Sequence, residues 1–195
     1  MALFAVAVVG SACGSTAAAP TPSPTPIRTA PVIRTAAPTP AVATCVVKTA
    51  TFVKVPSKAV ITLEKGGTIV IALRPDKAPK TVTNFANVAL SGCYNGLTFH
   101  RVVANFVAQG GDPLGTGTGG GSQPTELSDL PFIKGAVGVA RAGDIKVSND
   151  RQFYICTGEC LNLNNAYTNF GQVISGQDVA DKIVVGDKIK TITVE

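Results

Sequence analysis

The side chains able to do chemistry are few, and they crowd into one stretch, Thr98-Phe99-His100-Arg101-Val102-Val103-Ala104-Asn105-Phe106-Val107-Ala108-Gln109-Gly110-Gly111-Asp112, which holds the only histidine of the chain. A half-buried strand alternates apolar and polar residues, yet here the polar positions carry large hydrogen-bond donors set among aromatics. Such a strand suits the wall of a site better than the filling of a core. Arg101 is its most informative member. An arginine inside an apolar run must keep its guanidinium solvated or paired, and a cleft lined by Phe106 and Tyr154 would present its fixed donors to a carbonyl or an amide.

Other chemistries find less support. One histidine leaves no His-rich metal site, and Cys156-x-x-x-Cys160 lacks the paired knuckles of a zinc site, so no metal is expected. No serine or cysteine stands near His100 in sequence, so a nucleophile with its base is not indicated and His100 reads as a packed, hydrogen-bonded residue. The glycine-rich run at 115–121 is not a phosphate loop, because no Gly-Lys-Ser/Thr follows and no helix begins there. Its glycines point instead to close backbone approach or to positive φ.

The elements that must position this stretch follow from periodicity. Two β-branched runs at 59–63 and 68–73, joined across Glu64-Lys65-Gly66-Gly67, predict an opening hairpin. Pro79 begins a helix that Gly92 closes, with Val82, Phe85, Ala86, Ala89 and Leu90 forming one apolar face. The informative stretch is a strand pair broken at Ala104-Asn105, and further strands are expected at 135–140, 152–156, 167–174 and 188–194, with a second helix through 178–185. Many short strands with two helices predict an antiparallel barrel whose ends the helices cap.

The 195 residues suffice for one domain with a tail, and 15% charged against 45% hydrophobic residues excludes a disordered polyampholyte. A net charge of +5 comes from scattered basic residues, so no nucleic-acid partner is expected. Residues 2–9 are an apolar run too short to span a bilayer, followed by Gly10-Ser11-Ala12 and then Cys13. Length and small-residue exit match a secretory signal peptide, although its usual basic opening is missing. Residues 14–45, rich in Ala, Thr, Ser and Pro, cannot build a core and read as a semi-rigid tether. The expected organisation is a leader at 1–13, a tether at 14–45 and a folded domain at 46–195.

Two resemblances to known families build on these residues. The Ser11-Ala12-Cys13 junction is similar to the lipobox of bacterial lipoproteins, with Gly10 where a branched apolar residue is usual; it implies lipidation of Cys13 and export to the outer face of the cytoplasmic membrane, a secreted or periplasmic protein being the alternative. The second covers about residues 59–195. Phe99-His100-Arg101-Val102 with Phe106, Gln109-Gly110-Gly111-Asp112-Pro113, Gly115-Thr116-Gly117-Thr118-Gly119-Gly120, Ala78-Pro79-Lys80-Thr81-Val82, Gln152-Phe153-Tyr154-Ile155 and Phe170-Gly171-Gln172-Val173 together resemble the cyclophilin-type peptidyl-prolyl isomerases.

That resemblance implies a closed eight-stranded antiparallel barrel capped by two helices, with its active site on the outer face. It implies rotation about the bond preceding proline, without a cofactor, acting on proline-containing peptides and unfolded protein clients, by a monomer. Arg101 takes the catalytic position, while Phe106, Val107, Gln109, Ala140, Arg141, Gln152, Tyr154, Leu163 and Tyr167 take substrate-contacting ones. Val107 stands in place of a usual methionine, Tyr154 of phenylalanine, Arg141 of asparagine, Arg151 of serine, and Asn162 of a tryptophan found in some members, so strong cyclosporin binding is not expected. The altered rim motivates a second reading, a binding module that holds proline segments with little turnover. For the cysteines the options stay open: Cys45 with Cys93 would tie the tether to the domain, Cys156 reads as a small buried thiol with Cys160 in the loop after it, and four free thiols are also compatible.

Overall fold

A computed structural model describes residues 45–195; the leader, most of the tether and Cys13 lie outside the described residues. The first hairpin forms as expected from β1 (Lys58–Leu63) and β2 (Thr68–Leu73), in which every second residue is buried, so the β-branched side chains supply one wall of the core. Gly66 and Gly67, at φ of 93° and 91°, make the turn between them. Helix α1 (Pro79–Leu90) opens on a proline and buries Val82, Phe85, Ala86 and Ala89. Leu90, expected on that face, is exposed because the chain turns away at Ser91 and Gly92. The first free amides of α1, at Lys80 and Thr81, donate to the carboxylate of Glu126, a cap carried by a distant loop.

Then come β3 (Phe99–Val103), β4 (Val107–Gly110), β5 (Ser122–Pro124), β6 (Ala136–Val139), β7 (Val147–Asn149), β8 (Phe153–Cys156), β9 (Asn169–Ser175), α2 (Gln177–Ala180) and β10 (Ile189–Val194). Eight of the strands form one antiparallel sheet in the order β10-β1-β2-β9-β6-β8-β4-β3, while β5 and β7 pair apart as a small ribbon that the sequence pattern did not announce. The sheet curls around a core in which Phe85, Tyr94, Phe99, Phe153 and Phe170 meet through tilted and edge-on contacts of 5.2 to 6.2 Å.

The barrel is not closed as expected. β3 and β10 remain edges and meet near their starts, through a bridge between Thr98 and Lys188 and flanking backbone bonds from Phe99 to Asp187 and from Ile189 to Leu97. Beyond that seam β10 packs on α1, and β3 runs beside the turns that follow α2, so neither strand has a second strand to pair with on its outer side. The second helix is also shorter than expected. It ends at Ala180 because the chain must reverse before β10, a turn fixed by Asp187 accepting the amide of Val184 at 2.8 Å.

Candidate active site

The site is built across four neighbouring strands, and one irregularity decides which side chains reach it. In the β3–β4 pair Phe99 stands opposite Gly110 but Arg101 stands opposite Gln109, so His100 is an extra residue forming a bulge. Regular alternation would put Phe99 and Arg101 on one face. The extra residue instead lets Phe99 bury completely while Arg101 emerges on the outer face. From there the register carries a row outward: Arg101 beside Gln109, Gln109 beside Tyr154, and Tyr154 beside Gly138.

Gly138 is required in that row. A Cβ there would come within 2.4 Å of the Tyr154 ring and hydroxyl and 2.7 Å of Phe132, so the tyrosine lies flat across the strand only because the position is bare. The Tyr154 hydroxyl is buried and has no protein partner. Burial raises its pKa, which keeps it a neutral donor. Tyr154 joins this row to a second apolar cluster, which also holds Val107, Phe132, Ala136, Cys156, Cys160 and Leu163, with Phe106 and Tyr167 packed against it.

Above the cluster is a concavity of about 350 Å³ lined by Arg101, Phe106, Val107, Gln109, Ala140, Arg141, Tyr154, Asn162, Leu163 and Tyr167. Nine positions named from the sequence thus meet at one place, together with Asn162. Gln152 does not line it. It is buried behind the wall, where it accepts from Gln109 Nε2 at 3.0 Å and donates through its own Nε2 to the carbonyl of Gly119 at 2.8 Å. Gln109 is thereby oriented, and its Oε1 lies 3.5 Å from Arg101 Nη1, a loose contact that leaves the guanidinium available. Cys13 lies outside the described residues.

The glycine-rich run serves this arrangement as a cradle. Asp112 is buried, and its carboxylate accepts the amides of Leu114, at 2.8 Å, and Thr116, at 2.9 Å, as well as that of Gly117. Burial alone would raise its pKa, but these backbone donors, with that of Gly119, prevail and hold it below the usual carboxylate range. A Cβ on Gly119 would overlap the Asp112 carboxylate, so the loop folds back against its own turn and sets the carbonyl that Gln152 reads. His100 packs close by with neither ring nitrogen partnered. Burial lowers its pKa, the negative charge of Asp112 opposing this only in part.

Nothing in the site forms a covalent catalyst. Cys156 and Cys160 are buried free thiols whose pKa values burial raises, so at neutral pH they stay protonated. No cluster of three metal-ligating side chains occurs among the described residues. What the arrangement offers is an apolar floor with a cationic multiple donor at its edge, suited to a neutral cyclic side chain next to a polar amide.

The comparisons with known proteins agree with that chemistry. The family described as "Cyclophilin type peptidyl-prolyl cis-trans isomerase/CLD" matches residues 59–194. The chain is similar to the Peptidyl-prolyl cis-trans isomerase B of Bacillus subtilis, 43% identical over 137 residues covering 68% of this chain and 94% of that protein. It is also similar to the Peptidyl-prolyl cis-trans isomerase of Synechococcus elongatus, 37% identical over 142 residues covering 71% of this chain and 96% of that one. Among solved structures, the cyclophilin-type isomerase of Cryptosporidium parvum in the presence of the dipeptide Ala-Pro matches with a TM-score of 0.65 and 27% identity, over 71% of this chain and 98% of that one. The chain belongs to the cyclophilin-type peptidyl-prolyl cis-trans isomerases.

Proposed function

We propose that the concavity beside Arg101 is where this isomerase twists the bond preceding proline. The reaction makes and breaks no covalent bond; it must overcome amide resonance, a barrier of roughly 18–20 kcal/mol that leaves uncatalysed exchange at tens of seconds. The pyrrolidine ring rests on Phe106, Val107, Tyr154, Leu163 and Tyr167, which removes it from water and fixes one side of the bond. Arg101 donates to the proline nitrogen as it loses planarity or to the carbonyl that holds the substrate, and so favours the twisted amide over the planar one. The observation that carries this reading is the bulge at His100, which spends a residue to place a guanidinium over an apolar floor.

The test is two-dimensional exchange NMR of an Ala-Pro peptide with the full chain beside Arg101→Ala. Loss of about 10²–10³-fold in exchange rate with an unchanged far-UV spectrum is expected, the size typical of removing a preorganised donor. Undiminished exchange in the variant would refute the assignment. The alternative of a binding module with little turnover is disfavoured by family membership.

We further propose that the enzyme acts outside the cytoplasm on unfolded clients, as a monomer held on the outer face of the membrane by lipid on Cys13. The lipobox-like junction and the tether composition support it, as does the bridge between Cys45 and Cys93, since structural disulfides persist in oxidising compartments. Mass spectrometry of the exported chain decides the matter: diacylglycerol on Cys13 supports the anchor, and an unmodified or earlier-cleaved terminus rejects it.

A further inference from the structure

Two guanidiniums line the concavity and no carboxylate does. Of the four arginines among the described residues, Arg74 and Arg151 stand beside Asp76 and Asp150, whereas Arg101 and Arg141 form no ion pair. Arg141 nonetheless is far from a mobile surface charge. Its Nε donates to the carbonyl of Ala166 at 2.8 Å, its Nη1 donates to those of Ala142 at 3.0 Å and Gly143 at 3.1 Å, and its guanidinium carbon lies 4.5 Å from the centre of the Tyr167 ring. Nη2 has no protein acceptor. The nearest acid in sequence, Asp144, accepts instead from the amide of Lys146.

We propose that Arg141 is a specificity-determining residue that selects proline segments bearing a carboxylate next to the isomerised bond. This rests on the assignment of the concavity as the substrate site. Exposed ion pairs gain little because two flexible side chains must be immobilised to form them. Arg141 is already immobilised by three carbonyls and an aromatic face, so an incoming acid meets a fixed donor with a free edge. The second cation, Arg101, adds to the same field, and no acidic side chain in the lining cancels it. Arg151, the other substituted arginine of the rim, faces a different hollow and is offset by Asp150.

The experiment measures kcat/KM for matched peptides with glutamate or glutamine immediately before, or immediately after, the proline, using the full chain at low and at 0.5 M salt. Wild type is expected to favour one glutamate peptide about five-fold at low salt, the range of an accessible charge pair, and to lose most of that preference at high salt. Arg141→Gln is expected to abolish the preference and Arg141→Lys, which keeps the charge without the carbonyl fork, to retain part of it. Equal rates on glutamate and glutamine peptides by the wild type overturn the proposal whether or not the variants fold. A uniform fall on all peptides in both variants also overturns it, leaving Arg141 as a clamp on the loop. Absence of exchange on every peptide, glutamine ones included, is a different result: it removes the substrate-site assignment on which the proposal stands.

Discussion

At the scale of single residues, His100 shows how a group without a chemical role still shapes the pH response. Its ring, carried by the bulged residue itself, is packed neutral, and burial sets its folded pKa below the ordinary value of 6.5. The unfolded chain therefore takes up the proton first. Its share of stability is complete above about pH 6.5 and is lost as the pH falls from there toward the folded value. Asp112, also depressed, adds its own loss at lower pH, below the ordinary 3.8. Thermal midpoints at pH 7.5 and 5.5 are expected to differ less in His100→Asn than in wild type; an equal decline would show that another group titrates. Much of the site was legible at this scale, since Arg101, Phe106, Tyr154 and Tyr167 stand at positions fixed by an ordered set of motifs. Gln152 was not, because sequence gives its position just ahead of β8 but not the Gly119 carbonyl that draws its amide behind the wall.

Elements were read well where a single periodicity governs them, as in β1, β2 and α1, and poorly where a local exception does. Alternation through Phe99-His100-Arg101 puts the phenylalanine and the arginine on one face, and only the pairing with Gly110 and Gln109 reveals the extra residue that separates them. The β5–β7 ribbon is an exception of the same kind, fixed by pairing distant in sequence, while α2 is cut short by the local turn that Asp187 closes. Gly138 could be read from the sequence as one more strand residue, yet it is the position on which Tyr154 depends. Gly138→Ala is expected to destabilise the fold by about 1–3 kcal/mol and to lower peptide affinity by tilting Tyr154 out of the floor. Chemical denaturation and peptide titration by NMR measure the two effects, and a variant with unchanged midpoint and affinity would show that the ring relocates without cost.

For the molecule as a whole, the sheet is joined edge to edge by its seam at Thr98 and Lys188, and the chain ahead of it is tied to the end of α1 by the bridge between Cys45 and Cys93. The bridge spans 48 residues, which include the first hairpin and α1. A closed loop of that size raises stability by about 4 kcal/mol in the chain-entropy account. Cys45→Ser is expected to lower the denaturation midpoint accordingly while leaving exchange on Ala-Pro peptides intact, because neither cysteine lines the concavity at Arg101. The pairing itself was one open option among several in the sequence, since spacing carries no information on which sulfurs meet. Its placement matters mechanically. Tension applied to the chain ahead of Cys45 passes through sulfur to Cys93, behind α1, and bypasses residues 46–57 and β1, which lies between β10 and β2. A strand pulled from its end unzips one hydrogen bond at a time, whereas here the load enters beyond the sheet. A pull on the chain ahead of Cys45 is therefore taken up at Cys93 without the first hairpin unravelling.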